Sequence, residues 1–318
     1  MKKFDVIAIG ELNVDLILNR IDGQPEIGKE KFAKDMLLTL GSSTAIFAAN
    51  AAALGTKTGF AGMIGRDLFG NLVKRDLQDK GVDTQFLIES ETAATGATIV
   101  MNYDEDRANI TYQGAMDQMR FTDIDPQVFT DTNHIHLSSL FMQRGLLLDI
   151  ETLLRHAKVQ GVTTSLDTQW DPTDQWAFDY RKLLPLIDVF MPNDKELMAL
   201  THQSSLEDAI GAITPFLGHA AIIKCGREGS ILVLRNGTRH SLAACLNSHV
   251  VDAIGAGDSF NAGFIHRFVQ GCPLTDCQQL GNLTGAISTT AAGGTGAFFN
   301  REHIEKIAWE VFHQTIEL

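Results

Sequence analysis

Short apolar runs, each ended by a glycine or a polar residue, recur along the chain and alternate with segments of helical periodicity. Residues 4–10 form the first run and predict a buried strand. Similar runs predict strands at 134–137, 162–166, 188–191 and 220–224. Helical patterns follow at 145–160, 194–200, 206–217, 258–271 and 276–292. This alternation predicts an α/β fold whose mostly parallel central sheet is covered by helices on both faces.

Two segments, about 11–38 and 95–115, depart from this rhythm because they contain β-like pieces without helices between them. We expect these pieces to form a small sheet apart from the main body. A small sheet over a site is a candidate lid. The chain has no internal repeat and no low-complexity linker. We therefore expect a single α/β domain over residues 1–318, with a lid formed by the two discontinuous segments.

Polar residues and glycines follow several of the predicted strands. Ligands of parallel sheets bind at the carboxyl ends of the strands, so we expect these residues to converge on one edge. They are Asn13, Asp15, Asp167, Asn193, Gly226 and the loop before Asp258. Asn13 and Asp15 share a strand face by the two-residue period. They are either ligands for hydroxyl groups or a pair of solvated turn residues.

Residues 252–258 join a β-like run at 249–251 to a helical pattern that begins at Asp258. Gly255 and Gly257 allow a sharp turn and a close approach of the backbone to a ligand. The free N–H groups and the positive dipole end of the helix favour an anion, commonly a phosphate. Asp258 could accept a proton from a hydroxyl nucleophile, or it could be an ordinary aspartate cap.

Composition narrows the set of partners. The 318 residues carry a net charge of −13, which argues against nucleic acid and against an anionic membrane. No apolar run approaches the ~20 residues of a membrane span. The cysteines lack metal-site spacing and are expected to be reduced thiols; they are Cys225, Cys245, Cys272 and Cys277. We therefore expect a cytoplasmic protein that binds a small molecule.

Three other kinds of site are disfavoured. The chain lacks the G-x-x-x-x-G-K-[ST] pattern of P-loop kinases. The segment that begins at Gly255 lacks the third glycine of a dinucleotide fingerprint, which argues against a nicotinamide dehydrogenase. His134 and His136 lie on one strand face, but two histidines without a third ligand are more often structural than metal-binding.

Several ordered motifs resemble those of the ribokinase-like, or PfkB, carbohydrate kinase family. The C-terminal signature of that family, D-[TA]-x-[GA]-A-G-D, is similar to residues 252–258. The other similar segments are 10–15 at the N-terminal end, Gly41-Ser42, 59–70, the P-N-x-x-E element at 192–196 and the K-x-G-x-x-G turn at 224–229. These segments occur in the family's order along nearly the whole chain.

This resemblance implies a ribokinase-like three-layer α/β/α fold and ATP-dependent transfer of the γ-phosphoryl group to a sugar hydroxyl, usually a primary one. It implies that Asp258 is the base. The turn at Gly255 would then present the N–H groups of Ala256, Gly257 and Asp258 to the phosphoryl oxygens.

The resemblance also implies the binding residues. Asn193 and Glu196 would act on Mg²⁺ and phosphate, partly through water. The nucleotide pocket would be formed by Lys224, Gly226, Gly229 and Asn282. The sugar hydroxyls would be bound by Asn13, Asp15, Gly41 and Ser42. Many relatives carry a monovalent cation such as K⁺, and the matching positions are Asp252, Ile254, Ser288, Ala291, Gly293 and Ala297. Family members often pair through their lid sheets, which implies a homodimer.

Departures from ribokinases bear on the substrate. Ser42 stands where they have a second glycine, and Ile46 stands where they have an asparagine that touches the sugar. A glutamate of theirs falls near Ser138 or Ser139. Because lost polar contacts discriminate strongly between substrates, these changes argue against ribose itself. Fructose, another hexose or a sugar acid remain open, and Arg107 could either contact an anionic substrate or be exposed.

Two alternatives to a sugar kinase are kept. A nucleoside kinase of the same fold would need an apolar slot for a base, and the aromatic content is only 8%. A non-catalytic sugar-binding regulatory protein would be expected to have lost the base, whereas Asp258 is present.

Overall fold

Strands and helices alternate along most of the chain, as the apolar pattern predicts. The computed structural model describes residues 2–103, 106–316 and 318, and the side chains of residues 106 and 107 lie outside that description. The strands are Phe4–Ile9 (β1), Asn13–Asn19 (β2), Asp35–Leu40 (β3), Thr58–Gly65 (β4), Asp83–Ser90 (β5), Gly96–Tyr103 (β6), Asp106–Tyr112 (β7), Thr132–Ser138 (β8), Thr163–Asp167 (β9), Val189–Phe190 (β10), Ala220–Lys224 (β11), Ser230–Leu234 (β12) and Arg239–Leu242 (β13). The helices are Ser43–Ala53 (α1), Leu68–Asp79 (α2), Gln127–Thr130 (α3), Arg144–Val159 (α4), Tyr180–Leu183 (α5), Asp194–Thr201 (α6), Leu206–Ile213 (α7), Ala256–Val269 (α8), Leu274–Ser288 (α9) and Arg301–Phe312 (α10).

The large sheet has nine strands in the order β13-β12-β11-β10-β9-β8-β1-β4-β5. The strands from β11 to β5 are parallel to their neighbours, and β12 and β13 extend the sheet as an antiparallel hairpin. Parallel strands need both faces covered, and the connecting helices supply that cover. The predicted α/β class with a mostly parallel sheet is therefore confirmed.

Two apolar cores lie on opposite faces of this sheet. Alternate side chains of β1 enter different cores: Ile7 and Ile9 pack in one, and Val6 and Ala8 pack in the other. Side chains of α4, α6 and α7 complete the first core. Side chains of α1, α2, α8, α9 and α10 complete the second. The result is the three-layer α/β/α arrangement that the family resemblance implies.

A second sheet of four strands, in the order β3-β2-β6-β7, stands apart from the large one. The strands β2 and β6 are parallel, and β3 and β7 flank them in antiparallel pairs. Its two faces differ because side chains alternate along each strand. The face that carries Asp15, Thr98 and Thr111 is polar, and the opposite face carries Leu16, Ile99 and Ile110.

Two local predictions near the glycine loop are wrong. Residues 249–251 form no strand, and Val250 and Val251 are exposed. A β-like sequence without a neighbouring strand has no partner for its backbone hydrogen bonds, so it stays irregular. Helix α8 begins at Ala256, with Gly255 as its N-cap residue, so Asp258 lies in the first turn and is not the cap.

None of the helices in the described ranges, the longest of which has 16 residues, has the length and apolar character needed to cross a bilayer.

Candidate active site

The loop before α8 and the first turn of that helix line a cavity. Gly255 has φ 73°, a conformation that favours glycine, and it turns the chain into the helix. A Cβ at Gly255 would lie 2.5 Å from the Cα of Gly294, so the close approach of these two loops also requires glycine. The N–H of Ala256 donates to the carbonyl of Ala253 over 3.3 Å, a long bond. Helix α8 has 14 residues, and its first turn can bind an anion.

Asp258 lies in this first turn, lines the cavity and is only 5% exposed. Burial raises the pKa of its carboxyl group well above the usual range, and the nearby carboxylate of Asp167 adds to the effect. Lys224 opposes this shift, whereas Glu11 and Glu196 add smaller increases. A carboxylate with a raised pKa is a stronger base than an exposed aspartate.

Asp167, at the end of β9, is fully buried and accepts several hydrogen bonds. The Nδ2 of Asn261 donates to its Oδ2 over 2.6 Å, and the Nε2 of Gln169 donates to the same atom over 3.2 Å. The ammonium group of Lys224 forms an ion pair with it. The same Nε2 of Gln169 also donates to Oδ1 of Asp258 over 3.0 Å. These contacts place two buried carboxylates around one amide and one ammonium group.

The acidic residues around Lys224, at the end of β11, stabilise its charged form. Burial lowers the pKa of its ammonium group, but Asp167 and Glu196 outweigh burial, so the pKa is raised overall. A buried ammonium group that stays charged supplies the cavity with a fixed positive charge. The sequence alone did not predict this pairing with Asp167.

At the polar face of the small sheet, Asn13 and Asp15 lie side by side. The Nδ2 of Asn13 donates to Oδ1 of Asp15 and to Oγ1 of Thr98, in each case over 2.9 Å. The hydroxyl oxygens of Thr98 and Thr111 are 3.0 Å apart. A Cβ at Gly41 would lie 2.3 Å from Oδ1 of Asp15. Glycine at this position therefore makes room for the two polar side chains.

Ser42 and Glu11 form a second polar cluster in the cavity wall. The hydroxyl group of Ser42 donates to the carbonyl of Glu11 over 2.6 Å and caps α1 by accepting from the N–H of Ala45. The hydroxyl group of Thr44 also donates to the Glu11 carboxylate. Glu11 is buried, and burial raises the pKa of its carboxyl group, although the bonds from Thr44 oppose this.

One cavity of about 830 Å³ brings most of the predicted residues together. Those that line it are Asn13, Asp15, Ser42, Asn193, Glu196, Lys224, Gly226, Ile254, Gly255, Ala256, Gly257 and Asp258. A neighbouring cavity of about 390 Å³ is lined largely by apolar atoms. Predicted residues that line this second cavity are Lys224, Gly226, Gly229, Ala256, Gly257 and Asn282. The two cavities meet at the glycine loop, because Ala256 and Gly257 line both.

Asn193 and Glu196 form a reciprocal cap at the start of α6. The N–H of Asn193 donates to Oε2 of Glu196 over 2.9 Å, and the N–H of Glu196 donates to Oδ1 of Asn193 over 2.8 Å. Burial and the charge of Asp167 raise the pKa of Glu196 to about 7. Both residues line the larger cavity, so the cap coincides with its wall. The side chain of Asn282, in the wall of the apolar cavity, also bonds to the protein: its Nδ2 donates to the carbonyl of Ala243 over 3.0 Å.

Four of the positions that match a monovalent cation site, Asp252, Ile254, Ser288 and Gly293, are connected by hydrogen bonds at the loop that precedes α8. The carboxylate of Asp252 accepts from the N–H of Ile254 and from the N–H of Gly293, in each case over 2.9 Å. Ala297 is buried, and the hydroxyl group of Ser288 faces the carbonyl of Ile254 over 3.5 Å. Within the described ranges, no group of three or more His, Cys, Asp or Glu side chains could hold a metal ion.

His134 and His136 are structural. Nε2 of His134 and Nδ1 of His136 both lie within hydrogen-bond distance of the Ser165 hydroxyl, at 2.8 and 2.7 Å. His136 also stacks on Phe47, with the ring centroids 3.7 Å apart. Burial lowers the pKa of His134 to about 3, so its imidazole is neutral at physiological pH. The metal alternative has no support from these contacts.

Sequence reasoning missed several residues of the cavity. Glu11, Thr98, Asn109, Thr111 and Gln169 line it. Thr98, Asn109 and Thr111 could have been found from the two-residue period of the lid segments. Gln169 gave no such signal, because it lies in an irregular loop after β9. The prediction on Arg107 concerns a side chain outside the described residues.

Known proteins are similar to this chain over most of its length. The ATP-dependent ribose-1-phosphate kinase of Halopiger xanaduensis is 28% identical over 294 residues, which are 92% of this chain and 94% of that protein. The 5-dehydro-2-deoxygluconokinase 2 of Bacillus cereus is 28% identical over 302 residues, 89% of this chain and 88% of that protein.

The structure of Arabidopsis thaliana ribokinase complexed with ribose and ATP matches with a TM-score of 0.82 at 23% identity, covering 96% of this chain and 98% of that one. This match confirms the ribokinase-like fold. The profile of the pfkB family of carbohydrate kinases matches residues 3–298. The chain therefore belongs to the PfkB family and is a carbohydrate kinase.

Proposed function

We propose that the chain transfers the γ-phosphoryl group of ATP to a hydroxyl group, preferably a primary one, of a sugar or sugar derivative, with Asp258 as the base. The buried carboxylate of Asp258 carries this proposal, because it lines the cavity together with the glycine loop and the polar face of the small sheet. A base in this position can take the proton of an acceptor hydroxyl while the first turn of α8 stabilises the charge on the phosphoryl oxygens.

ATP would occupy both cavities. The apolar cavity suits an adenine ring, with Gly229 and Asn282 in its wall. The phosphates would extend past Lys224 and Gly226 to the first turn of α8, because both residues line the two cavities. The Halopiger relative is named an ATP-dependent kinase, and the Arabidopsis neighbour is complexed with ATP.

Mg²⁺ fits the donor set at α6. Glu196 offers carboxylate oxygens at the cavity wall beside Asn193, and Mg²⁺ needs few protein ligands because it keeps several waters. When bound, the ion would neutralise charge on the phosphates. A K⁺ site is proposed at Asp252, Ile254, Ser288, Ala291, Gly293 and Ala297. The bonds from Ile254 and Gly293 to the Asp252 carboxylate support it, since they hold the two loops together.

The small sheet would act as a lid of the single 1–318 domain, with its polar face toward the acceptor. Asn13, Asp15, Gly41 and Ser42 would bind the hydroxyl groups, and Ser139 also lines the cavity. We propose an acceptor other than ribose. Ile46, at the position of the sugar-binding asparagine of ribokinases, packs against Gly294 and Gly255, as a Cβ built on either glycine would lie within 3.1 Å of its side chain. An isoleucine offers no hydrogen bond to a sugar.

The test is ADP release from Mg-ATP with a panel of sugars, sugar acids, sugar phosphates and nucleosides, with and without K⁺. Wild-type protein is expected to turn over at least one sugar or sugar derivative. Asp258→Asn should lower kcat by at least about 100-fold, because general base catalysis contributes that much, while ATP still binds. Full activity of Asp258→Asn would exclude the assigned base. Turnover of nucleosides alone, or of no acceptor, would favour a nucleoside kinase or a non-catalytic sugar-binding protein.

A further inference from the structure

Gln169 is the one residue of the loop after β9 whose side chain bridges the two buried carboxylates. Its Nε2 lies 3.0 Å from Oδ1 of Asp258 and 3.2 Å from Oδ2 of Asp167. Gln169 also lines the larger cavity. None of the sequence motifs includes this residue, and the proposed roles of the other residues do not require it.

The orientation of the amide follows from the chemistry of its neighbours. A carboxylate can only accept hydrogen bonds, so the amide presents its N–H groups to both acids and turns its carbonyl away. The charged groups that influence Asp258 are Asp167, Lys224, Glu11 and Glu196. Lys224 pairs with Asp167, and in the part of the chain that the structure describes the side chain of Gln169 donates to the Asp258 carboxylate.

The loop is built to hold Gln169 in place. Gln169 has φ 58°, a left-handed conformation that costs energy for a residue other than glycine. Its own N–H donates to Oδ1 of Asp167 over 3.3 Å. Further along, the Asp171 carboxylate accepts from the N–H groups of Thr173 and Trp176 over 2.8 and 2.6 Å. These bonds fix the loop on both sides of the glutamine.

We propose that Gln169 is a positioning residue that anchors Oδ1 of Asp258 and thereby directs Oδ2 toward the acceptor hydroxyl. This inference rests on the proposed role of Asp258 as the base. The same hydrogen bond stabilises the ionised carboxylate relative to the protonated one. The hydrogen bond therefore offsets part of the increase that burial and Asp167 cause in the pKa of Asp258. Loss of the donor raises the pH at which the base ionises.

The test compares the pH dependence of kcat/KM in the wild type, in two variants of Gln169 and in one control variant. Gln169→Met keeps the approximate length of the side chain but has no N–H donor, and it should shift the acidic limb upward by roughly one to two pH units, as expected for a lost bond to a charged group. Gln169→Glu, nearly isosteric, replaces the donor by another acid and should shift the limb further. KM for ATP should change little, because Gln169 and Asp258 line the larger cavity and not the apolar cavity proposed for adenine.

The matched control is Gln143→Met. Gln143 is a buried amide whose Nε2 donates to the carbonyl of Ser138 over 2.9 Å, so it bonds to backbone and not to a carboxylate. This variant is expected to lower stability and to leave the acidic limb in place. If the acidic limb of kcat/KM lies at the same pH in the wild type, Gln169→Met and Gln169→Glu, the proposal is overturned.

A second readout does not depend on finding the acceptor. The side-chain carboxyl carbons of Asp are labelled with ¹³C, and the Asp258 signal is assigned from its absence in Asp258→Asn. Its titration midpoint should rise by roughly one to two pH units in Gln169→Met. An unchanged midpoint would refute the positioning role even if no sugar is turned over. Absence of turnover with a shifted midpoint would refute the proposed function alone.

Discussion

Ser42 shows how one residue can combine strain with several contacts. Its backbone has φ 71° and ψ 120°, a region in which a side chain is disfavoured. The hydroxyl group compensates by capping α1 and by donating to the carbonyl of Glu11. Strained residues of this kind are concentrated at functional sites, and Ser42 lines the cavity.

Replacing Ser42 separates these two effects. Ser42→Ala loses the cap and the bond to Glu11 but keeps the disfavoured φ, so it should lower the free energy of unfolding by about 1–3 kcal/mol. Ser42→Gly loses the same bonds but removes the strain, so it should be about 1 kcal/mol more stable than Ser42→Ala. Urea unfolding of both variants measures the difference. Equal stabilities would show that the backbone at this position is not strained.

Helices α8 and α9 approach each other closely at a glycine. A Cβ at Gly263 would lie 2.2 Å from Oγ1 of Thr284 and 2.9 Å from the carbonyl of Leu280. Both helices pack in the second core, so their spacing affects the position of the first turn of α8, which carries Asp258. Position 263 therefore requires glycine because α9 lies so close, although glycine is a poor helix former.

Gly263→Ala should therefore destabilise the protein by about 1–3 kcal/mol, because the helices must move apart to admit the methyl group. Gly211→Ala is the matched control. Gly211 lies in α7 and a Cβ there would meet nothing within 4 Å, so alanine should raise stability by up to about 1 kcal/mol. Thermal unfolding distinguishes the two. A stabilising effect of Gly263→Ala would mean that the helices are not in tight contact.

At the scale of the whole molecule, the outer face of the small sheet is apolar and exposed. Leu38, Leu16, Ile99 and Ile110 form one row across the four strands. Leu38, Ile99 and Ile110 are 37, 39 and 61% exposed, and Met36 is 68% exposed. Such a continuous patch marks an interaction surface. We propose that a second copy of the chain covers it, because the exposed edges of a small sheet also favour pairing.

Charge on this face should prevent pairing. Ile110→Glu, or Leu38→Glu, is expected to convert a dimer into a monomer of 34.8 kDa, because a carboxylate would be buried in the interface. Light scattering after size-exclusion chromatography measures the mass. Leu148→Glu, on α4, is the control, since Leu148 is 76% exposed but lies off the sheet. A monomeric wild type would contradict the proposal.

The sequence by itself determined the local elements and the family. Burial of one face imposes a regular spacing of apolar side chains within each strand or helix, and this spacing is visible in the sequence. The bounds of β1, β11 and α4 were therefore predicted to within about one residue. Glycines and polar residues after strands marked the cavity wall. The run at 249–251 was misjudged because a strand requires a partner strand, which no local pattern supplies.

Only the tertiary structure decided how the acids and their donors pair. Gln169 and Asp258 are 89 residues apart, and Lys224 and Asp167 are 57 apart. Such contacts follow from the strand order, which brings the ends of β9 and β11 to the side of α8. Ionisation of the buried acids depends on these distant neighbours and on exclusion of water. The sequence therefore pointed to Asp258 as the candidate base, and the fold determined the environment of its carboxyl group.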